Sequence, residues 1–561
     1  MPQNELPSAE SGGNARPKST DERTPLLGDP SYAGTEADEA HASGGSAGNE
    51  ETVVLQEISG LKFWTIMGSC WLGVFLGAVD SSIMATLSAP ISSEFQSLSL
   101  ISWLATAYLI SNAACQPISG RLTDIFGRGR GLVFSNLLFA LGNLICGLAQ
   151  SAEIMILGRV VAGIGGGGLM TISTFLGTDL VPLRRRGVIQ GIGNVCYGAG
   201  AMFGGAFGGF INDSSSRGWR LAFLVQVPPV LVCTVLVAYL VRVPPKVSNK
   251  SYLARIDFTG AISLVVCVVL LLLGLNTGGN VVPWTHPLPL TAIPLSLVAF
   301  VCFLIWESRA EQPVIPVRLL LNRTVLAACT TNFLGNMVQF ASLFYIPLYL
   351  QTHGYSASRA GLVLLFSPMG LCFFSLGSGY VMQKTGRYVG LGIAAVSVQL
   401  AAVVLLSTLQ GAPVWPFRIV FFLLGSGQGA MLTITLLACL AAIDHSQQAA
   451  ITSATYAFRS VGSTLGITVG SAIYQNVLKN RLWERFGDLP GAAEEISRIR
   501  DDIDELKHLP EGWHDGVMAS FQEAFHSVWL MLVGLVVLAL ISISLLKQHK
   551  LHSTLARNEV D

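Results

Sequence analysis

Between residues 120 and 128 the chain reads Gly120-Arg-Leu-Thr-Asp124-Ile-Phe-Gly127-Arg128, and between 379 and 387 it reads Gly379-Tyr-Val-Met-Gln383-Lys-Thr-Gly386-Arg387. Two glycines and an arginine keep one spacing in both, so the chain carries an internal repeat. Each copy follows a long apolar run. Fourteen such runs start at Phe63, near 63–87, 102–119, 132–150, 154–175, 187–211, 221–241, 258–275, 288–306, 325–350, 360–382, 388–407, 419–442, 452–474 and 528–546. Each is near the roughly 20 residues that cross a bilayer as a helix. The two copies fall after runs two and ten, which are equivalent places if runs 1–6 and 9–14 form two halves and runs 7 and 8 are inserted between them. The expected fold is an all-α membrane protein of fourteen transmembrane helices, two six-helix halves plus two inserted central helices. Duplicated halves point to alternating access, in which the halves rock about a site near the bilayer midplane.

Composition agrees with that frame. The chain of 561 residues is 51% hydrophobic and 12% charged, against roughly 25% charged in a soluble domain, which excludes a soluble enzyme. Its formal charge of zero hides an asymmetry, because residues 1–60 carry eleven acids and three bases. That stretch is rich in Gly, Ser and Pro without a periodic apolar face, and reads as a disordered acidic tail. It has no basic start followed by an apolar core, so it is not a signal peptide. An even number of spans puts both termini on one side. Loops on that side hold fifteen Lys and Arg, whereas the short opposite loops hold four (Arg217, Arg220, Arg359 and Arg418), so the charge rule places both termini in the cytosol. The expected domains are the tail 1–60, a six-helix half 61–245, a two-helix insertion 246–322, a second half 323–546 and a cytosolic tail 547–561. Within the second half, 478–525 forms a lumenal loop with a helical stretch, EEISRIRDDIDELKHL.

Five further segments carry a resemblance. GRLTDIFGRGR (120–130) looks like the signature loop of the major facilitator superfamily, and VDSSIMATLSAP, WLATAYLI, ILGRVVAGIGGGG and RGWRLAFLVQVP resemble the first-half motifs of its fourteen-span drug:proton antiporter branch. Within that branch the likeness is greatest to the fungal vacuolar basic amino acid transporters, over roughly 58–546. The resemblance implies proton-coupled exchange of a small molecule.

Hydrocarbon disfavours charge, so ionisable residues inside the runs are functional candidates by default, and three remain: Asp80, Arg159 and Arg459. Asp80 precedes the lumenal end of run 1 by about seven residues and Arg159 follows the lumenal start of run 4 by about six, roughly 10 Å deep in each case, so the two share a level. A pair of this kind either fixes helix orientation as a buried salt bridge or tunes an Asp that loads and releases a proton. The resemblance supports both positions. Arg459 faces the central cavity and either holds a substrate carboxylate or pins a helix. Tyr108, Gln116, Asn143, Asn194, Gln226, Asn332, Asn336, Gln339 and Gln428 line the cavity or tie helices together.

In the first loop Gly120 and Gly127 permit tight turning, while Asp124, Arg128 and Arg130 supply charge for a cytosolic gating latch; the second copy has Gln383 in place of the acid. In run 5, Gly200, Gly204, Gly205, Gly208 and Gly209 resemble the superfamily's antiporter motif, with Gly205 where proline is usual; close helix packing is the minimum it implies. Gly163-Ile-Gly165-Gly-Gly-Gly168 fits a dinucleotide pattern but follows no strand, so it is packing too. With no phosphate-binding loop, metal-ligand set or catalytic triad, neither a cofactor nor enzyme chemistry is expected, nor is a nucleic-acid partner. The ten cysteines stand singly within apolar runs and pack. In the tail, Glu22-Arg-Thr-Pro-Leu26-Leu27 resembles an acidic dileucine signal read by clathrin-adaptor-type sorting machinery. The chain thus reads as a proton-coupled antiporter importing basic amino acids from the cytosol into the vacuole. A plasma-membrane multidrug or toxin exporter and a non-transporting nutrient sensor are its rivals.

Overall fold

The computed structural model describes residues 60–551 except 96–98, 215–217, 242–256, 279–281, 311–316, 356, 410–412, 445–446, 490, 502–505, 507–508 and 511. Glu22, Leu26 and Leu27 lie outside the described residues. The first half comprises α1 (Gly60–Glu94), α2 (Ser99–Phe126), α3 (Arg128–Leu148), α4 (Ala152–Leu180), α5 (Leu183–Ser214), α6 (Trp219–Leu224) and α7 (Val227–Leu240). The insertion is α8 (Phe258–Thr277) and α9 (Pro287–Glu307), followed by the short α10 (Val317–Leu320). The second half comprises α11 (Arg323–Thr352), α12 (Ala357–Leu364), α13 (Phe366–Thr385), α14 (Val389–Thr408), α15 (Val414–Ala441), α16 (Gln448–Phe486), α17 (Ala492–Asp501) and α18 (His514–Ser544). Among the described residues every named element is a helix, and the single β feature is an isolated bridge, Gly278 to Val282.

Among the described residues eleven helical stretches are long and apolar enough to cross a membrane, α6–α7 and α12–α13 each counting as one. With α2, α5 and α16 they are consistent with fourteen crossings. Those three fall short in hydropathy because they carry the polar residues of the interior, Asn112, Gln116 and Asp124 on α2, Gln190 and Asn194 on α5, and Arg459 on α16. They are also the helices at which the halves meet: α2 packs on α16, and α5 on α13. Exchanging the halves maps one seam onto the other, as the repeat requires. The inserted pair packs on itself, and α8 lies against both α2 and α16 at the outside of a seam.

The largest departure from the sequence expectation is α16, whose 39 residues run on to Phe486. Much of 478–525 is therefore helical, comprising the end of α16, α17 and the start of α18. Leu478, Leu482 and Phe486 keep the helical period and are buried. Phe486 stacks on Trp513 at 4.2 Å, Arg481 pairs with Glu484 and Glu523, and Arg485 bonds Ser520 and Glu523. An amphipathic packing face, rather than hydropathy, carries the helix beyond the apolar run.

Candidate functional site

Arg159 of α4 donates from Nη1 to Asp80 Oδ2 of α1 at 2.8 Å, with side chains 1% and 0% exposed. The guanidinium lies over the Tyr108 ring of α2, 4.4 Å from its centroid, and its Nε donates to the Leu104 carbonyl at 3.4 Å. Asp80 Oδ1 has no hydrogen-bond partner among the described residues. Burial opposes the charge on this carboxylate and the guanidinium beside it favours that charge. The backbone around it is tightly held. A Cβ on Gly204 would fall 2.5 Å from the Val79 carbonyl, and one on Gly200 2.9 Å from Ala78 Cβ, so these two glycines let α5 lie directly on the stretch of α1 that bears Asp80. Gly205, Gly208 and Gly209 follow in the same unbroken helix. The glycine run in α4 does the same for α2 and α3, with Gly163 against the Tyr108 carbonyl and Gly165 against Phe139.

Arg459 stands apart from that pair. Its Nε donates to Asn332 Oδ1 at 3.3 Å, its guanidinium lies over Tyr456 at 4.7 Å, and Nη2 is buried without a hydrogen-bond partner. The same face of α16 crosses to the first half twice: the Tyr456 and Thr174 hydroxyls are 2.8 Å apart, and Ser460 donates to Gln116 Oε1 at 2.9 Å. Asn194 of α5 makes the equivalent crossing at the other seam, donating to Ser375 at 2.7 Å. Among the polar residues singled out from sequence, Gln116 and Asn194 thus tie the halves together, Asn332 seats Arg459, and Gln226, just before α7, donates to the Ala222 carbonyl of α6. Asn143 is fully buried, with neither side-chain atom partnered.

At the end of the bundle bearing the repeated loops, Arg128 gathers two acids. It pairs with Asp124 at 2.7 Å and with Asp179 of α4 at 2.9 Å, donates to Thr123 Oγ1 at 2.7 Å, and lies over Phe175. Arg130 is exposed on the next turn, outside that cluster. Gly127 has φ 94 and Gly386, its counterpart, φ 68, a backbone region in which glycine avoids the Cβ clash. The other glycine of each copy sits on a seam, Gly120 against Ala449 and Ser453 of α16, and Gly379 against Gly187 of α5. The residues preceding Gly187 and Ala449 bond one another, Arg186 donating to Gln448 Oε1 at 2.7 Å. Arg184 donates to the carbonyls of Gln383 and Lys384 that end α13. Both halves therefore close this end. Asp124→Asn keeps size but removes one charge from the Arg128 cluster, a loss of about 1–3 kcal/mol from this conformation. Transport is expected to slow severalfold at unchanged protein level, measured as uptake per localised molecule; unchanged turnover would reduce the loop to a basic turn.

The second copy is fastened differently. Tyr388, fully buried, donates to the Lys547 carbonyl at 2.7 Å and accepts from the His549 amide at 2.8 Å. Gln548 donates to the Gly386 carbonyl and accepts from the Tyr388 amide. The chain after α18 thus supplies the bonds that Asp124 supplies in the first half.

Residues 70–467 match the Major Facilitator Superfamily. The chain belongs to that superfamily. Within it, the chain is 37% identical over 505 residues to the multidrug resistance protein fnx1 of Schizosaccharomyces pombe, covering 88% of this chain and 94% of fnx1. It is 30% identical over 463 residues to vacuolar basic amino acid transporter 1 of Saccharomyces cerevisiae, covering 75% of this chain and 80% of that one. The human organic anion transporter MFSD10 shares the fold, with a TM-score of 0.54 at 14% identity over 84% of this chain and 99% of that one. The sequence resemblance and the facilitator architecture are thereby established. The protein is a multi-pass membrane transporter of small molecules.

Proposed function

We propose that this facilitator is a proton-coupled antiporter that moves basic amino acids from the cytosol into an acidic vacuole, with both termini cytosolic. The observation that carries the coupling is Asp80, fully buried, bonded to Arg159 through one oxygen and unpartnered at the other. Protonation of the free oxygen weakens the grip on Arg159, and that change is what links a proton to the movement of the halves. Arg459, with one nitrogen uncommitted between the halves, is the donor for a substrate carboxylate. The closed end at Arg128 then faces the cytosol, and the closed conformation is the one that exchanges with the vacuole. Likeness to a vacuolar basic amino acid transporter supports this substrate class.

Likeness to fnx1, a protein named for multidrug resistance, favours a second function, export of drugs or toxins across the plasma membrane. Isolated vacuoles supplied with ATP and a panel of labelled amino acids separate the two. Uptake of lysine, arginine or histidine that collapses with a protonophore is expected. Its absence, with drug resistance in cells overproducing the protein, would favour export. Location offers a second discriminator, because Leu26 and Leu27 fit a dileucine signal. Replacing both with Ala is expected to shift a tagged protein toward the cell surface with transport intact, and unchanged location under the microscope removes that signal.

A further inference from the structure

Asn143 presents a donor and an acceptor, both buried and both unpartnered among the described residues. A buried amide left unsatisfied costs about 1–3 kcal/mol for each group, so a partner is to be expected. Its position says which. Helices α1 and α3 each run away from the Arg128 end and both pack on α4, and a Cβ on Gly73 would stand 3.7 Å from Asn136 Oδ1. Asp80 lies seven residues beyond Gly73, and Asn143 seven beyond Asn136. Two turns further along parallel helices, at 1.5 Å per residue, the carboxylate and the amide are level. Two independent contacts agree. Gly142 and Cys146, which flank Asn143 on α3, pack on Ala162 and Gly158, which flank Arg159 on α4. Val79, Ile83 and Cys146 also share one apolar cluster.

We propose that Asp80 Oδ1 and the Asn143 amide hold one water molecule between them, and that Asp80 takes up and gives off its proton through it. This rests on Asp80 as the proton carrier. Three polar atoms meet the two to four partners that a buried water needs. With Asp80 ionised, the water donates to Asp80 Oδ1 and to Asn143 Oδ1 and accepts from Asn143 Nδ2. A hydronium arriving at this place passes one proton to Oδ1, leaving water and a neutral acid whose O–H donates back to it. Asn143 is a positioning residue in this scheme, acting through the water. The other titratable and charged groups facing the site are Arg159 on α4, Tyr108 on α2, Cys146 on α3 and, beyond Tyr108, Tyr197 on α5.

The test is Asn143→Leu, nearly isosteric and apolar, with Asn143→Val as the smaller alternative should Leu accumulate poorly and Asn143→Ser as a conservative variant that keeps a hydroxyl and room for water. Two quantities are read on purified protein in vesicles. Gradient-driven uptake is expected to fall at least tenfold in the apolar variants while exchange of substrate for substrate persists, with Ser recovering much of the loss. The infrared carbonyl band of protonated Asp80, assigned by its disappearance in Asp80→Asn, is expected to move to higher wavenumber in the apolar variants, as for an acid that has lost a hydrogen bond. An unshifted band with unchanged gradient-driven uptake overturns the water site. If Asp80→Asn abolishes that uptake while the Asn143 variants behave as wild type, only the water site fails. If Asp80→Asn itself retains it, the proton-carrier assignment fails, and the water site as a proton path falls with it.

Discussion

Asp80→Asn is expected to abolish uptake driven by a proton gradient and to leave substrate-for-substrate exchange in place. Asn cannot ionise near neutral pH, yet it fits the space and can still accept from Arg159 Nη1, which lies 2.8 Å from the Asp80 carboxylate. The complication is energetic. Removing the acid leaves the Arg159 guanidinium, 1% exposed, without its counter-charge, and breaking a buried pair costs about 3–5 kcal/mol. Protein abundance may not be confused with activity, so uptake is normalised to correctly localised molecules and measured with and without an imposed gradient. Combining Asp80→Asn with Arg159→Gln removes both charges. A double variant that recovers gradient-driven transport shows the pair to be structural only; one that is stable but still uncoupled identifies Asp80 as the carrier.

Arg128→Gln is expected to open the closed end. The arginine joins Asp124 and Asp179, whose side chains are 4% and 16% exposed, and without it two carboxylates face one another in a poorly solvated place. The cost, again about 3–5 kcal/mol, falls on the loop between α2 and α3, and the expected route to the seam is α2, which carries Asp124 and packs on α16. Ser453, fully buried where Gly120 crosses α16, supplies the readout as Ser453→Cys. A water-soluble maleimide should label that cysteine at least tenfold faster when Arg128 is Gln, and Arg128→Lys, which keeps the charge but not the planar fork, should lie between. Equal labelling rates in all three would falsify a latch at this position.

Much of this architecture was legible because a bilayer imposes a length and a polarity on whatever crosses it. The repeated glycines and arginine located the halves, and the depth of Asp80 and Arg159 brought them to one level. Asp179 was not legible as the second acid on Arg128. It lies 51 residues away, beyond the apolar run of α4, where an acid is ordinary. The length of α16 was hidden for a related reason, since LKNRLWERF continues the helix on packing period alone. Nor did sequence separate Asn143 from the other polar residues of the interior, because a lack of partners is a property of three dimensions. The clasp on Tyr388 was hidden as well, its bonds to Lys547 and His549 running largely through main-chain atoms that carry no compositional mark.

That clasp makes the two halves mechanically unlike. One loop is held by a buried guanidinium between carboxylates, a joint that salt screens little but that depends on the charge of its partners; the other is held by uncharged hydrogen bonds to the chain beyond α18. Exchanging the halves, which keeps both loops at the same end of the bundle, is consequently no symmetry of the energy. Neutralising an acid loosens the first loop and leaves the second as it was, so this end of the bundle has one half that answers to charge and one that does not.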